Sequence, residues 1–365
     1  MSSDRHQLDR VADLWGKVAV DRADSSIRGW ADSPIVNQWV LGPRLAGSPG
    51  RHWLQGLAED LPIPKGGRWL SLGCGAAGTE IFAASLGLFA SLLGLDGSEQ
   101  ALAEGRKAAR DRNAHGLEFA LADLNALALP ADEFDVALMN MSLHHVKNLE
   151  GTLTAVEQAM KPGGIFVVNE FVGPSQFQFT DLQVAIAGAI LDLLPERWRL
   201  DLTTGKVKTR YARHPRSHWN TVDPSEAIRS DEIVGLLEGR FETLVRRDYG
   251  GTILHLALEH IVHNFDQDDE RDVTTVRLMA LLEDLLIRHG VMESDFTLMA
   301  LRKAPPGPAA SRRERMPGVE IERLRARVNV LEAENTDLGE RLQRTEGSRV
   351  WRLAQSLRGL VGRRW

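Results

Sequence analysis

The residues best suited to chemistry in this 365-residue chain directly follow predicted β-strands. The first group is a glycine-rich turn with glycines at Gly73, Gly75 and Gly78, between an apolar run and a helical pattern. Glycines let the backbone approach a ligand closely, and the N–H groups that begin the following helix point at that ligand. The same spacing fits the dinucleotide fingerprint of nicotinamide enzymes, so the turn alone does not decide the class of ligand.

Polar side chains follow the next predicted strands as well. Asp96 lies about 20 residues after the glycines, where a carboxylate can accept hydrogen bonds from both hydroxyls of a ribose. Asp123 follows the third strand, the run 140–145 with its two adjacent histidines follows the fourth, and Glu170 ends the fifth. These residue types can bind a ligand and move a proton.

The elements that must position these residues alternate between strand and helix. The predicted strands are 68–72, 91–95, 117–121, 134–140 and 164–170, and the predicted helices between them are 79–87, 98–113 and 149–160. Such alternation predicts a doubly wound, mostly parallel α/β sheet, with ligands at the carboxyl ends of its strands. Later segments add predicted strands at 241–248 and 296–302, for seven in total, and predicted helices at 252–265 and 270–289.

The composition limits the possible classes of protein. Hydrophobic residues make up 43% of the chain, which is enough for a large buried core. The single cysteine excludes an internal disulfide, and no signal-like start or long apolar run is present, so a cytoplasmic protein is expected. Residues 1–303 carry a net charge of −11 and residues 304–365 one of +5, which argues against a nucleic-acid enzyme.

Several of these motifs occur in an order that is specific to one family. The run from Leu70 to Glu170, with its glycine turn, ribose acid, Asp123 and a Lys-Pro-Gly-Gly turn at 161–164, resembles a class I S-adenosylmethionine-dependent methyltransferase. The resemblance implies a Rossmann-like fold, S-adenosylmethionine as cofactor, and methyl transfer as the reaction.

The resemblance also implies which residues bind the cofactor. Gly73, Cys74 and Gly75 would contact its methionine part, Asp96 its ribose, and Asp123 with Leu124 its adenine amine. Asn140 is a further candidate contact. The sequence departs from the family at Ser71, where an acid is usual, and at Ala77, where a third spaced glycine is usual; Glu80 is the candidate substitute for binding the ligand's amino group.

More of the chain resembles a subgroup associated with bacterial surface-glycan assembly. The segments that carry this likeness are 173–181, 194–197, 223–230 and 249–255. The resemblance implies a small-molecule or glycan acceptor, with O-methylation of a sugar hydroxyl in surface-polysaccharide biosynthesis.

Methyl transfer to a hydroxyl needs a group that removes a proton. His145 is the first candidate for that base, His144 the second and Glu170 the third. Since neighbouring residues of a strand point to opposite faces, at most one of the two histidines is expected to face the methyl group. No metal site is predicted, because histidines 255, 260 and 263 do not have the spacing of zinc enzymes.

Two other functional classes remain open. The first glycine turn suits an NAD-dependent oxidoreductase, although no proton-relay domain for such an enzyme is visible. Ser71 and Ala77 would suit a non-catalytic, dimeric scaffold with the methyltransferase fold.

The predicted domain organisation has five parts. An N-terminal helical lid region (1–65) precedes the methyltransferase domain (66–303), which contains a substrate-cap insertion at about 174–235. A proline-rich linker (304–318), a coiled coil (319–346) and a basic amphipathic tail (347–365) follow.

The coiled coil and the tail predict assembly and location. Apolar residues recur at alternating spacings of three and four from Ile321 to Leu342, and Asn335 occupies a seam position, so a parallel homodimer is expected. The tail contains five arginines and no acid, which predicts peripheral contact with the inner face of a membrane. A partner-binding or disordered tail is an equal alternative.

Overall fold

The computed structural model describes residues 29–61 and 63–304. The predicted coiled coil, the basic tail and most of the linker lie outside the described residues, as do residues 1–28. Among the described residues, no helix is long and apolar enough to cross a membrane.

A seven-stranded sheet forms the centre of the described residues. Its strands are β1 (Gly67–Leu72), β2 (Phe89–Asp96), β3 (Leu117–Leu121), β4 (Phe134–Asn140), β5 (Met160–Phe171), β8 (Glu242–Gly250) and β9 (Phe296–Arg302), while the short strands β6 (Leu200–Asp201) and β7 (Lys206–Val207) pair separately. The spatial order is β3-β2-β1-β4-β5-β9-β8, with β1 to β5 parallel and β9 antiparallel to both of its neighbours. The predicted fold class is therefore confirmed.

Helices cover both faces of the sheet. They are α1 (Trp53–Asp60), α2 (Gly78–Ser85), α3 (Glu99–Asp111), α4 (Leu149–Ala159), α5 (Asp181–Leu193), α6 (Arg216–Val222), α7 (Ile233–Arg240), α8 (Leu254–Leu258) and α9 (Glu270–Arg288), with short helical turns at Pro34–Val36 and Gly42–Ala46. The central strand β4 is buried on both faces, as its apolar sequence requires in a parallel sheet. Separate apolar clusters form on the two faces.

The described part of the predicted lid region packs into the core. Trp30, Ile35 and Leu54 are almost fully buried in the same cluster as Trp69 and Val136 of the sheet. This part of the chain therefore supports one face of the sheet.

The predicted cap, at about 174–235, lies between β5 and β8 and contains α5, α6 and the β6–β7 pair. Thr180 begins α5 with a capping box, in which its hydroxyl and the Gln183 side chain satisfy each other's backbone N–H groups. Beyond β8, the predicted helix 252–265 is wrong. Helix α8 ends at Leu258, because Glu259 adopts an extended ψ of 129° and His260 a left-handed φ of 60°, neither of which a helix can contain.

Candidate active site at the carboxyl ends of the strands

The order of the strands changes direction between β1 and β4, and ligands bind at such a switch point in open α/β sheets. The glycine turn leaves β1 here. It is held by hydrogen bonds from the Gly73 and Cys74 N–H groups to the Leu95 carbonyl, at 2.7 and 3.2 Å. The Cys74 side chain is buried beside Gly94, and burial raises the pKa of its thiol, so it is a packing group in this turn.

Two glycines of this turn adopt conformations that other residues rarely take. Gly73 has φ +70° and Gly75 φ +52°. A Cβ atom at Gly73 would lie 2.4 Å from the Ser142 Cβ, whereas one at Gly75 would have no atom within 4 Å. Gly73 therefore allows the turn to touch Ser142, and Gly75 faces open space that a ligand can occupy.

Asp96 lies beside this open space at the end of β2. Its Oδ2 accepts a hydrogen bond from the Gly75 N–H and its Oδ1 one from the Ser98 N–H, both at 2.8 Å. Burial raises the pKa of Asp96, and these backbone N–H groups oppose that effect. Each carboxylate oxygen has a second lone pair, so Asp96 can hold the turn and accept a ribose hydroxyl together.

Glu80 reaches from α2 to the position where the family's acid is missing. The Ser71 hydroxyl donates a hydrogen bond to Glu80 Oε1 at 2.5 Å, and Glu80 is 2% exposed. Burial raises the pKa of Glu80 to about 7. A carboxyl group thus stands next to Ser71, although it comes from the helix.

The structure places Asp123 and Leu124 just after β3. The Asp123 carboxylate is exposed and accepts a hydrogen bond from the Asn125 N–H at 2.9 Å, which caps a short helical turn. Leu124 is half-buried and lies close to Gly73. Leu124 is therefore next to the glycine turn.

Asn140, at the end of β4, belongs to a chain of side-chain hydrogen bonds that crosses the strand ends. It donates to the Thr79 hydroxyl at 3.1 Å and accepts from Asn169 at 2.8 Å, and Asn169 in turn accepts from the Tyr249 hydroxyl at 2.8 Å. The chain fixes the Asn140 amide close to the start of α2.

The two histidines do not continue β4, so the expectation that they point to opposite faces is wrong. The chain leaves the strand at Met141, whose φ is +53°, and Leu143–His145 form a single helical turn. The rings of His144 and His145 consequently lie together, with centroids 4.1 Å apart. Ser142 ties this turn to β1 through a 2.8 Å hydrogen bond to the Leu72 carbonyl.

Glu170 holds the histidine turn in place. Its Oε2 accepts hydrogen bonds from the Ser142 and Leu143 N–H groups at 2.9 and 2.6 Å, and its Oε1 is bonded to Nδ1 of His144. Glu170 is fully buried. These contacts make Glu170 a partner of His144 that has no exposed surface toward an acceptor.

The two histidines differ in charge. Burial disfavours the charged form of His144, but Glu170 and Glu226 outweigh burial and raise the pKa of His144 to about 10. Burial lowers the pKa of His145, and the positive charge of His144 lowers it further. His145 is therefore the neutral imidazole of the pair at pH 7.

Sequence reasoning missed Glu226, which comes from the cap. A ring nitrogen of each histidine and a carboxylate oxygen of Glu226 all lie within 4.8 Å of one another, and within residues 29–61 and 63–304 this is the one such group that could hold a metal ion. The segment 223–230 stood out in the sequence, yet nothing in it indicated which side chain reaches the histidines.

Aromatic side chains adjoin this cluster on the cap side. Phe171 lies edge-on to His144 with centroids 6.3 Å apart, and it contacts Phe177, which in turn packs edge-on against Trp219 of α6 at 5.1 Å. These rings form an apolar wall beside the charged groups. A separate cavity of about 620 Å³, lined by Gly78, Ser85, Phe89 and residues 112–116, opens near the amino ends of β2 and β3.

A comparison with known protein families finds a match in the part of the chain that contains this site. Residues 70–168 match the family described as "Methyltransferase domain". The matched residues contain the glycine turn, Asp96, Asp123 and both histidines.

Individual relatives match over part of their length. The demethylmenaquinone methyltransferase of Geobacillus stearothermophilus is 29% identical over 135 residues, which are 36% of this chain and 58% of that protein. The sterol 24-C-methyltransferase of Saccharomyces cerevisiae is 24% identical over 186 residues, which are 49% of this chain and 48% of that protein. The chain thus spans about half the length of these curated relatives.

Among solved structures, an S-adenosylmethionine-dependent methyltransferase from Mesorhizobium loti is 22% identical in sequence and superposes with a TM-score of 0.41. The match covers 68% of this chain and 96% of that chain. A phosphoethanolamine N-methyltransferase from Haemonchus contortus, in complex with S-adenosyl-L-methionine, is 17% identical with a TM-score of 0.38, 74% of this chain covered and 56% of that one.

Proposed function

We propose that this chain is an S-adenosylmethionine-dependent methyltransferase that methylates a hydroxyl oxygen of a sugar or glycan intermediate in bacterial surface-polysaccharide biosynthesis. The observation that carries the proposal is the direct contact between the glycine turn and the histidine turn. Ser142 fills the space that a Cβ at Gly73 would need, so the cofactor cradle and the acid–base residues adjoin.

The residues present fit the cofactor. Gly75 faces open space, Asp96 stands at the end of β2 with acceptor capacity left, and Glu80 supplies a carboxyl group beside Ser71. In this proposal Asp96 holds the ribose, Asp123 and Leu124 contact the adenine, and Glu80 with the Gly73–Gly75 turn contacts the methionine part. The cofactor supplies a methyl group on a sulfonium, which is already activated for displacement.

The chain's own residues then position the acceptor and remove its proton. His145 is the proposed base, because a neutral imidazole can take a proton and its neighbour His144 is held as a cation. His144 and Glu170 hold the turn that carries His145. A hydroxyl acceptor needs such a base, and in this proposal the half-buried rings of Phe177 and Trp219 pack against the sugar.

Assembly and location are part of the same proposal. A parallel coiled coil at 319–346 would make the enzyme a homodimer, and the paired basic tails would hold it near membrane-bound glycan intermediates. The support for this part is the heptad spacing and the arginine content of the sequence.

The experiment is a transfer assay with methyl-labelled S-adenosylmethionine. Three acceptor panels are incubated with the full chain: sugar nucleotides with lipid-linked sugars, quinones, and sterols. The proposal predicts label in an alkali-stable ether of a sugar from the first panel. Label in a quinone or sterol alone would instead assign this chain the acceptor class named for its relatives, and the glycan proposal would fail.

A further inference from the structure

The cap reaches into the acid–base cluster through residues 223–226. The Ser225 hydroxyl is 3.3 Å from Nδ1 of His145 and donates a 2.6 Å hydrogen bond to Asp223, and the Ile228 N–H donates to the His144 carbonyl at 3.1 Å. The backbone and side chains of this segment are thus attached to the histidine turn. The next side chain, Glu226, points at His144.

His144 is bracketed by two carboxylates from different parts of the fold. Its Nδ1 is hydrogen-bonded to Oε1 of Glu170 in β5, and its Nε2 lies 3.5 Å from Oε1 of Glu226 in the cap. The side chains of all three residues are at most 13% exposed. A buried imidazole between two carboxylates is most stable as a cation, since only the imidazolium can donate from both nitrogens.

The charge on His144 acts on its neighbour. The rings of His144 and His145 lie 4.1 Å apart between centroids, so a cation at His144 disfavours a second positive charge at His145. Glu226 is thereby tied to the protonation state of the residue that the proposed function uses as its base.

We infer that Glu226 is a positioning residue of the methyl-transfer site: it completes the Glu170–His144–Glu226 bridge and so fixes the turn that carries His145, the proposed base. The inference rests on the proposed function for the role of His145. The bridge itself is independent of that role. It makes the cap part of the acid–base machinery as well as a wall of the acceptor site.

His145 is faced by His144, Glu226, Asp223 and Glu170, and Glu226 is faced by both histidines and by His255. Burial raises the pKa of Glu226, but the histidines outweigh burial and lower that pKa to about 2, so Glu226 is an anion across the pH range in which histidines titrate. Its replacement by glutamine removes one negative charge and retains the shape.

The test is a residue-resolved titration of the imidazoles, by histidine hydrogen–deuterium exchange and mass spectrometry on the full-length protein without acceptor. In the unsubstituted chain, the midpoint of His144 should lie at least about two pH units above that of His145. In Glu226→Gln, both midpoints should fall, that of His144 by about one unit or more, because each imidazolium loses a nearby anion. The matched control is Glu232→Gln, a cap acid whose carboxylate pairs with Arg229 at 2.6 Å and should leave both midpoints unchanged.

Three results would overturn the inference. Equal midpoints for the two histidines in the unsubstituted chain would show that no charged bridge exists, even if Glu226→Gln failed to fold. An unchanged His144 midpoint in a folded Glu226→Gln would remove Glu226 from the bridge. A stoichiometric divalent metal in the purified protein, lost in Glu226→Gln, would show that the three side chains are metal ligands.

The outcome is separable from that of the proposed function. The titration needs no methyl transfer, so the bridge can be confirmed even if the acceptor assay fails. Once an acceptor is known, Glu226→Gln should move the acidic limb of the kcat profile to lower pH, with the KM for S-adenosylmethionine unchanged. A merely structural role of Glu226 in the cap would not move that limb.

Discussion

Replacing Asp96 with alanine tests the cofactor site at its most connected residue. The carboxylate accepts hydrogen bonds from the Gly75 and Ser98 N–H groups, and in the proposed complex it also accepts from the ribose. Asp96→Ala removes both functions. The chain keeps β2 and the start of α3, because Ser98 still caps that helix through the Ala101 N–H.

The magnitude follows from the bonds that are lost. Hydrogen bonds to a charged group contribute about 1.5–3 kcal/mol each, and the ribose offers two hydroxyls that water partly replaces, so binding should weaken by about 2–3 kcal/mol, or about 30- to 150-fold in Kd. The free energy of unfolding should fall by about 1–3 kcal/mol, because two backbone N–H groups lose their acceptor. Relief of the burial cost of the carboxylate offsets part of that loss.

Titration calorimetry with S-adenosylhomocysteine measures the first quantity and urea unfolding the second. The matched control is Asp135→Ala at the amino end of β4, where a carboxylate accepts from the Arg68 N–H at 2.8 Å and pairs with Lys161. This control should lose stability and keep its affinity for the ligand. An unchanged Kd in Asp96→Ala, or an equal loss of affinity in both variants, would refute the assignment of Asp96 to the ribose.

Four further outcomes are expected. His145→Ala should lower turnover by about 100-fold or more with ligand binding retained, and an equal loss of S-adenosylhomocysteine affinity would make the residue structural. Gly75→Ala should cost only about 1 kcal/mol of stability but abolish calorimetric binding, since its new methyl group enters the open space; a variant that binds normally would place the ligand elsewhere. In the folded chain Glu80 keeps its proton up to a pH of about 7, whereas an ordinary glutamate loses it near 4.5, so the free energy of unfolding should fall by about 3 kcal/mol as pH rises between those values. Glu80→Gln should remove that fall in urea unfolding curves recorded from pH 4.5 to 8. A fall of the same size in the variant would contradict the assignment of the fall to Glu80. Deleting residues 305–365 should give a folded monomer that binds S-adenosylhomocysteine and does not pellet with anionic liposomes, whereas a dimer in light scattering would place the interface in the remaining domain.

The fold was predictable where local patterns and burial agree. The strands β3, β4 and β9 have the predicted bounds, because each is an apolar or alternating run that ends at polar or turn residues. The helix predicted over 252–265 was wrong, since it breaks at Glu259 and His260, where the sequence has neither glycine nor proline to signal a helix end.

The site was predictable in part for a similar reason. Asp96 and Asp123 lie at strand ends that the alternation had located. The arrangement of His144 and His145 was not predictable from a two-residue strand period, because the chain leaves the strand at Met141. Glu226 comes from a cap residue more than 80 positions away from His144, and only the folded chain brings the two together.

Calorimetric titration of the full chain with S-adenosylhomocysteine and, separately, with NAD tests the central claim most directly. We expect saturable binding of one S-adenosylhomocysteine per chain and no heat of binding with NAD, because the strand ends hold an acid–base cluster suited to an acceptor hydroxyl, within residues that match a methyltransferase domain. Binding of NAD without binding of S-adenosylhomocysteine would contradict the account and restore the nicotinamide interpretation of the glycine turn.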